Sequence, residues 1–135
     1  MHDKILGSSI PPVMALAYLG DSVFETAVRR RLIERGLMKS GELNKASLAY
    51  VTAENQSRIM HRIEPLLAED ERDVFRRAAN SPHLNRPKHA SVTDYRFATG
   101  FEALLGMLSW IKDDERLTEI LELALEEGLE NDTQN

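Results

Sequence analysis

No cysteine occurs anywhere in the 135 residues. That excludes disulfides, cysteine-type zinc sites and thiol nucleophiles, and it fits a reducing compartment. Long apolar runs are missing too. No stretch approaches the roughly 18–20 residues that a membrane span requires. The opening MHDKILGSSIPP has neither the basic region nor the apolar stretch of a secretory signal. A cytoplasmic protein with no membrane partner is the expectation. Strand signals are equally scarce: no segment sustains the alternation with β-branched residues that marks a sheet.

What is present is helical periodicity and an uneven distribution of charge. Apolar residues at 42% and charged residues at 29% suit a folded, soluble chain. The length suits one domain, 1–135, with a core over about 10–127 and a frayed acidic tail over 129–135. The net charge of −5 conceals a division. Residues 113–135 hold nine acids and one base, so the first 112 residues carry +3. Between Arg72 and Gly100 six Lys/Arg stand against Asp73 and Asp94, with His83 and His89 in addition. Such a segment is either a solvated face or a site for a polyanion.

The apolar spacing predicts an all-α chain. A first helix begins near Pro11-Pro12, with Ser9 as its cap, and runs to about Glu34, where Gly36 ends it. Its apolar stripe includes Val13, Leu16, Gly20, Phe24, Val28 and Ile33. A second starts after Ser40, a third near Thr52 until Pro65 closes it, and a fourth covers EDERDVFRRAAN. Residues 81–93, SPHLNRPKHASVT, read as a long basic loop of the kind that often carries function. Thr93 then caps a fifth helix through Lys112, and a last helix, DERLTEILELALEEG, stops at Gly128.

Two residues break this pattern in the same way. Asp21 lies inside the apolar run LAYLGDSVFE beside Gly20, and Glu102 lies inside TGFEALLGML between Gly100 and Gly106. Glycine and aspartate are both poor choices for a helix interior. One reading places each acid at a helix edge, facing solvent. The other has Gly20 and Gly106 allow a tight helix crossing that brings Asp21 and Glu102 together. Two facing carboxylates repel unless one takes a proton or a cation intervenes. Carboxylates with retained waters are the usual Mg²⁺ arrangement, which suits phosphoryl chemistry. The basic loop would then hold a phosphate backbone.

YLGDSVFE and FEALLG together resemble the two acidic motifs of the ribonuclease III catalytic domain, in order and about 80 residues apart. The likeness covers about 10–127, and leaves no room for a double-stranded-RNA-binding domain. It points to the short Mini-ribonuclease III subgroup. Ala17 and Thr99 stand where the longer enzymes carry further acids, as in that subgroup. Pro87, Lys88, Val92, Tyr95, Arg96, Thr99, Phe101, Ala103, Gln56 and Asn80 fit the same pattern. The resemblance implies a helical bundle forming a symmetric homodimer. Each subunit would carry one Mg²⁺-dependent site, with Mn²⁺ as a substitute. The two sites would cut opposite strands of double-stranded RNA and leave 5′-phosphate ends. The subgroup's role is maturation of the 23S large-subunit ribosomal RNA precursor, with a ribosomal protein as a candidate partner.

On this reading Asp21 and Glu102 are the catalytic metal ligands. Glu25, one turn after Asp21, is either a support through water or a surface ion-pairing residue. Thr99, one turn before Glu102, either hydrogen-bonds toward the site or is an ordinary helical threonine. Arg76, Arg77, Arg86, Lys88 and His89 are candidate phosphate contacts, and Tyr95 and Arg96 either orient RNA or brace the dimer. His61 reads as an interhelical histidine rather than a ligand, and Met107 and Trp110 as core or interface. Two further functions compete with the endoribonuclease. One is a non-catalytic RNA-binding or ribosome-associated member of the same fold. The other is an interaction module using the acidic C-terminal helix, which leaves the basic loop unexplained.

Overall fold

The computed structural model describes residues 9–82 and 91–133, with side chains as far as residue 126. All regular elements among them are helical: α1 (Val13–Glu34), α2 (Ser40–Val51), α3 (Ala53–Ile63), a 3-10 turn (Glu64–Leu66), α4 (Glu69–Ala79), α5 (Val92–Trp110) and α6 (Asp114–Thr133). The expected all-α class is what the chain adopts.

The helix ends follow local chemistry. Pro12, extended at φ −56° and ψ 152°, occupies the N-cap of α1. Its carbonyl accepts from Ala15 and Leu16, so the expected cap at Ser9 lies too early. At the other end Gly36 takes a left-handed φ of 96°. Its N–H donates to Ile33 and that of Leu37 to Leu32, a closing pattern that favours glycine. Lys112 repeats this turn after α5 at φ 60°, so α5 ends at Trp110. Its N-cap is Ser91, whose hydroxyl accepts from the Asp94 N–H, not Thr93. Ser91 is placed three residues before that N–H, the reach a capping side chain needs. Thr52 caps α3 in the same way, through Asn55. The helix α6 passes through Gly128 to Thr133. A single glycine lowers helix stability by about 1 kcal/mol without breaking the ladder, and no proline follows it.

The centre of the bundle is α5, packed against α1, α3 and α4. From Ala98 to Leu108 every residue of α5 is buried except Glu102. A helix apolar on all sides belongs inside a bundle. Phe24 meets Phe101 edge-on at 5.1 Å, tying α1 to α5. The stripe on α1 is narrower than its sequence pattern: Leu16, Ala17, Gly20, Phe24, Val28 and Leu32 are buried, whereas Ile33 is exposed. Met107 is core, but Trp110 is half exposed because it sits at the last turn of α5.

The far end is clamped by a pair that sequence spacing does not reveal. Glu71, fully buried on α4, accepts from Arg116 on α6 through both oxygens, at 2.8 and 2.9 Å. The same carboxylate accepts from the Ala68 N–H, and Arg116 also donates to the Leu66 carbonyl. Removing one partner of a buried, bidentate pair leaves the other uncompensated. Glu71→Ala is therefore expected to destabilise the fold by about 3 kcal/mol, read as a lower urea midpoint. A midpoint within error of the parent would refute the clamp.

Candidate active site

Two glycines set the site's geometry. A Cβ on Gly20 would lie 1.7 Å from the Glu102 carbonyl oxygen and 2.9 Å from the Gly106 nitrogen. A Cβ on Gly106 would lie 1.8 Å from the Leu16 carbonyl oxygen. The crossing is thus reciprocal: Leu16 and Gly20 are one turn apart on α1, Glu102 and Gly106 one turn apart on α5. Backbone meets backbone, as only glycine permits. Gly100, the third glycine of this group, faces elsewhere; its Cβ would strike the Phe75 ring of α4 at 2.3 Å.

Because Asp21 follows Gly20, the crossing carries its side chain close enough to Glu102 for its charge to act on that carboxyl group. Asp21 is open to solvent, whereas Glu102 is half-buried. Glu102 is pushed up to about 8, first by burial, then by the hydrogen bond and negative charge of Asp21; a hydrogen bond from Gln56 opposes the shift. Burial and the charge of Asp21 thus both favour the protonated form of Glu102.

That proton has a consequence for stability. In an unfolded chain Glu102 titrates near its ordinary 4.5, so between 4.5 and about 8 the folded protein holds a proton that the unfolded one has lost. Stability from this source is complete below 4.5 and lost as pH rises through about 8. In EDTA, thermal stability is expected to fall between pH 6 and 9, by at most about 3 kcal/mol. Glu102→Gln is expected to flatten the profile. A wild-type profile already flat over that range would contradict the pairing.

The donor set suits a hard divalent cation. Two carboxylates at one helix crossing supply oxygen ligands, and Mg²⁺ is commonly held by one or two carboxylates plus waters and phosphate oxygens. Among the described residues no group of three or more His, Asp or Glu side chains forms a fuller cage. Ala17 and Thr99 are buried beside the crossing at 5% and 4% exposure, so neither position offers an acid to the site.

The remaining candidates divide. Glu25 is in an exposed ion pair with Arg29 at 2.7 Å. The Thr99 hydroxyl donates to the Tyr95 carbonyl at 2.9 Å rather than to Glu102. Tyr95 is half-buried and Arg96 exposed. Arg76 and Arg77 are exposed and border a cavity of about 440 Å³ with Asn80, Ser81, Pro82 and Val13 of α1. Arg77 also pairs with Asp73 at 3.3 Å. Val13 and Asp21 are eight residues apart on α1, about 12 Å along its axis. Arg86, Lys88 and His89 lie outside the described residues. His61 stacks flat on Phe97 of α5, 3.9 Å between ring centres, and its Nδ1 meets the Ser57 carbonyl. It is the interhelical histidine its position suggested.

Gln56 was not among the candidate site residues. The signal was a glutamine on the apolar face of α3, in register with Ile59, Met60 and Ile63. It is 3% exposed, and it favours the charged form of Glu102 against the effect of burial.

An all-helical bundle with one acid on each of two crossing helices corresponds to a known class: residues 14–111 match the family model described as the ribonuclease III domain. Proteins called Mini-ribonuclease 3 are similar over most of the chain. That of Symbiobacterium thermophilum is 44% identical, over 86% of this chain and 88% of its own. That of Brevibacillus brevis is 40% identical, over 82% and 83%. A crystal structure of a Fusobacterium nucleatum protein superposes with a TM-score of 0.76 at 29% identity, covering 91% of this chain and 96% of that one. The chain belongs to the ribonuclease III family, in its Mini-ribonuclease 3 branch.

Proposed function

We propose that this chain is a divalent-metal-dependent endoribonuclease that cleaves double-stranded RNA as a symmetric homodimer, leaves 5′-phosphate ends, and matures the 23S ribosomal RNA precursor in the cytoplasm, with a ribosomal protein as a candidate partner. Family membership supports the RNA-cleaving endoribonuclease. The observation that carries the reading further is the Asp21–Glu102 pair: two carboxyl groups brought close together by a glycine-mediated backbone crossing.

Asp21 and Glu102 would hold Mg²⁺, with Mn²⁺ as a substitute. When bound, the cation supplies an activated water and offsets charge developing on the phosphate. The chain's own contribution is positional. The backbone contact at Gly20 holds Glu102 against α1. Arg76 and Arg77, exposed beside the start of α1, are suited to the phosphate backbone, where each contact adds salt-dependent affinity. Among the described residues no helix is long and apolar enough to cross a membrane.

A second reading rests on Ala17 and Thr99: a site with only two carboxylates fits a non-catalytic RNA-binding or ribosome-associated member of the fold. Incubation with a long duplex RNA in Mg²⁺, in Mn²⁺ and in EDTA separates the two. Cleavage in either cation and none in EDTA is expected, with fragments that a 5′-phosphate-dependent exonuclease degrades. Binding without cleavage in both cations would establish the second reading.

A further inference from the structure

A cavity of about 360 Å³ lies between α3 and the first turn of α5, lined among the described residues by Glu54, Ser57, Arg58, His61 and Asp94. None of them belongs to the α1–α5 crossing. One wall is an aromatic ring held on two sides. A face of His61 lies flat on Phe97 of α5, 3.9 Å between centres and 5° from parallel. Phe97 is backed in turn by Phe75 of α4, edge-on at 5.1 Å. The Nδ1 edge is fixed at 2.8 Å from the Ser57 carbonyl. A carbonyl only accepts, so Nδ1 donates, and Nε2 of the neutral ring is an acceptor. His61 is nevertheless exposed, so what it opens to solvent is the other ring face and the Nε2 edge. A ring braced in this way loses little freedom on receiving a second flat ring.

We infer that this cavity receives an unpaired guanine of the RNA, stacked on His61 with its Watson–Crick edge toward the carboxylates of Glu54 and Asp94. This rests on the proposed RNA substrate and adds to it a preference for duplexes that carry an extrahelical base. The lining has two carboxylates against one guanidinium, that of Arg58, which also donates to Asn55. Such a balance disfavours a phosphate and suits a flat group rich in N–H donors. Guanine presents an imino and an amino donor side by side, with the O6 acceptor available to Arg58; adenine presents only an amino donor on that edge. In paired RNA the narrow major groove hides the base edges, so proteins read unpaired bases, by stacking them on aromatic side chains and bonding to their open edges. Asp94 and Glu102 are eight residues apart on α5, about 12 Å along its axis. A base held here is within a few nucleotides of a phosphate at the metal site.

The test is equilibrium binding by fluorescence anisotropy, in EDTA, of three RNA duplexes: fully paired, with one bulged guanine, and with one bulged adenine. Wild type is expected to bind the guanine-bulged duplex about 10-fold more tightly than the paired one, with the adenine-bulged duplex between them. His61→Leu keeps an apolar contact on Phe97 and removes the ring. It is expected to lose the gain while binding the paired duplex as wild type does. His61→Phe returns a flat ring and is expected to restore the gain, which a general folding defect would not allow. Asp94→Asn is expected to bring guanine down to the level of adenine. In wild type with ¹³C-labelled histidine, the His61 ring signals are expected to move with the guanine-bulged duplex and not with the paired one, a readout that needs no variant. No gain from the bulged guanine, or a gain retained in His61→Leu, would overturn the inference. An equal gain from adenine would overturn the assignment to guanine. His61 signals that GMP moves, with no gain from the bulge, would make the occupant a free nucleotide and overturn the RNA role. Equal binding of all three duplexes, with cleavage of the paired one in Mg²⁺, would overturn this role alone. Failure to bind any of them would overturn the endoribonuclease reading with it.

Discussion

Gly20→Ala is expected to destabilise the protein by at least about 3 kcal/mol, although alanine is the better helix former by about 1 kcal/mol. The sign follows from the crossing. The added methyl would sit 1.7 Å from the Glu102 carbonyl oxygen, and the obstacle is backbone, which cannot rotate aside as a side chain can. α1 and α5 would have to separate, opening the core around Phe24 and Phe101 and drawing Asp21 from Glu102. Gly106→Ala should behave alike, because its methyl would meet the Leu16 carbonyl at 1.8 Å. Gly41 is the control: it lies in α2 with nothing within 4 Å of its would-be Cβ. Gly41→Ala should be neutral or stabilising by up to about 1 kcal/mol. Urea denaturation reads all three. Gly20→Ala as stable as the parent would mean that the helices do not cross as described.

Asp21→Asn and Glu102→Gln are expected to lower cleavage of duplex RNA by at least about 10³-fold each, equivalent to roughly 4 kcal/mol of transition-state stabilisation. Neither should lose the fold. Asparagine and glutamine keep the size of the acids they replace, and either change removes the repulsion that holds a proton on Glu102. Both variants are therefore expected to be at least as stable as wild type at pH 8–9 in EDTA, while failing to cut. Loss of activity with gained stability is what a functional site should show, because its residues are placed against the interest of the fold. Their binding to RNA is expected to persist, since the candidate phosphate contacts lie elsewhere. Cleavage at wild-type rates by either variant would remove that acid from the site.

The crossing and its acids were legible in the sequence for a physical reason. A glycine beside a carboxylate inside an apolar helix is doubly unfavourable locally, and such conflicts between local preference and global fold tend to mark functional positions. Gly20 and Gly106 make the backbone crossing, and Asp21 and Glu102 lie beside it. The helix order was legible too, since proline, glycine and apolar spacing act over a few residues. Contacts between distant segments were not. Nothing near Glu71 points to Arg116, 45 residues on, and Gly100 carries no mark that its partner is Phe75 rather than α1. Gln56 signalled itself only as a polar residue on an apolar face. Exposed charge was the least legible, because periodicity does not distinguish a phosphate contact from a local pair. Glu25 is bound to Arg29 and Arg77 to Asp73, each one turn away.

The central claim is that Asp21 and Glu102, from two helices, make one divalent-cation site. Titration of the RNA-free protein with Mn²⁺, followed by electron paramagnetic resonance at pH 8, tests it most directly. The prediction is a specific Mn²⁺ site in wild type that is lost in Asp21→Asn and lost equally in Glu102→Gln. Retention of wild-type affinity in either variant would contradict it.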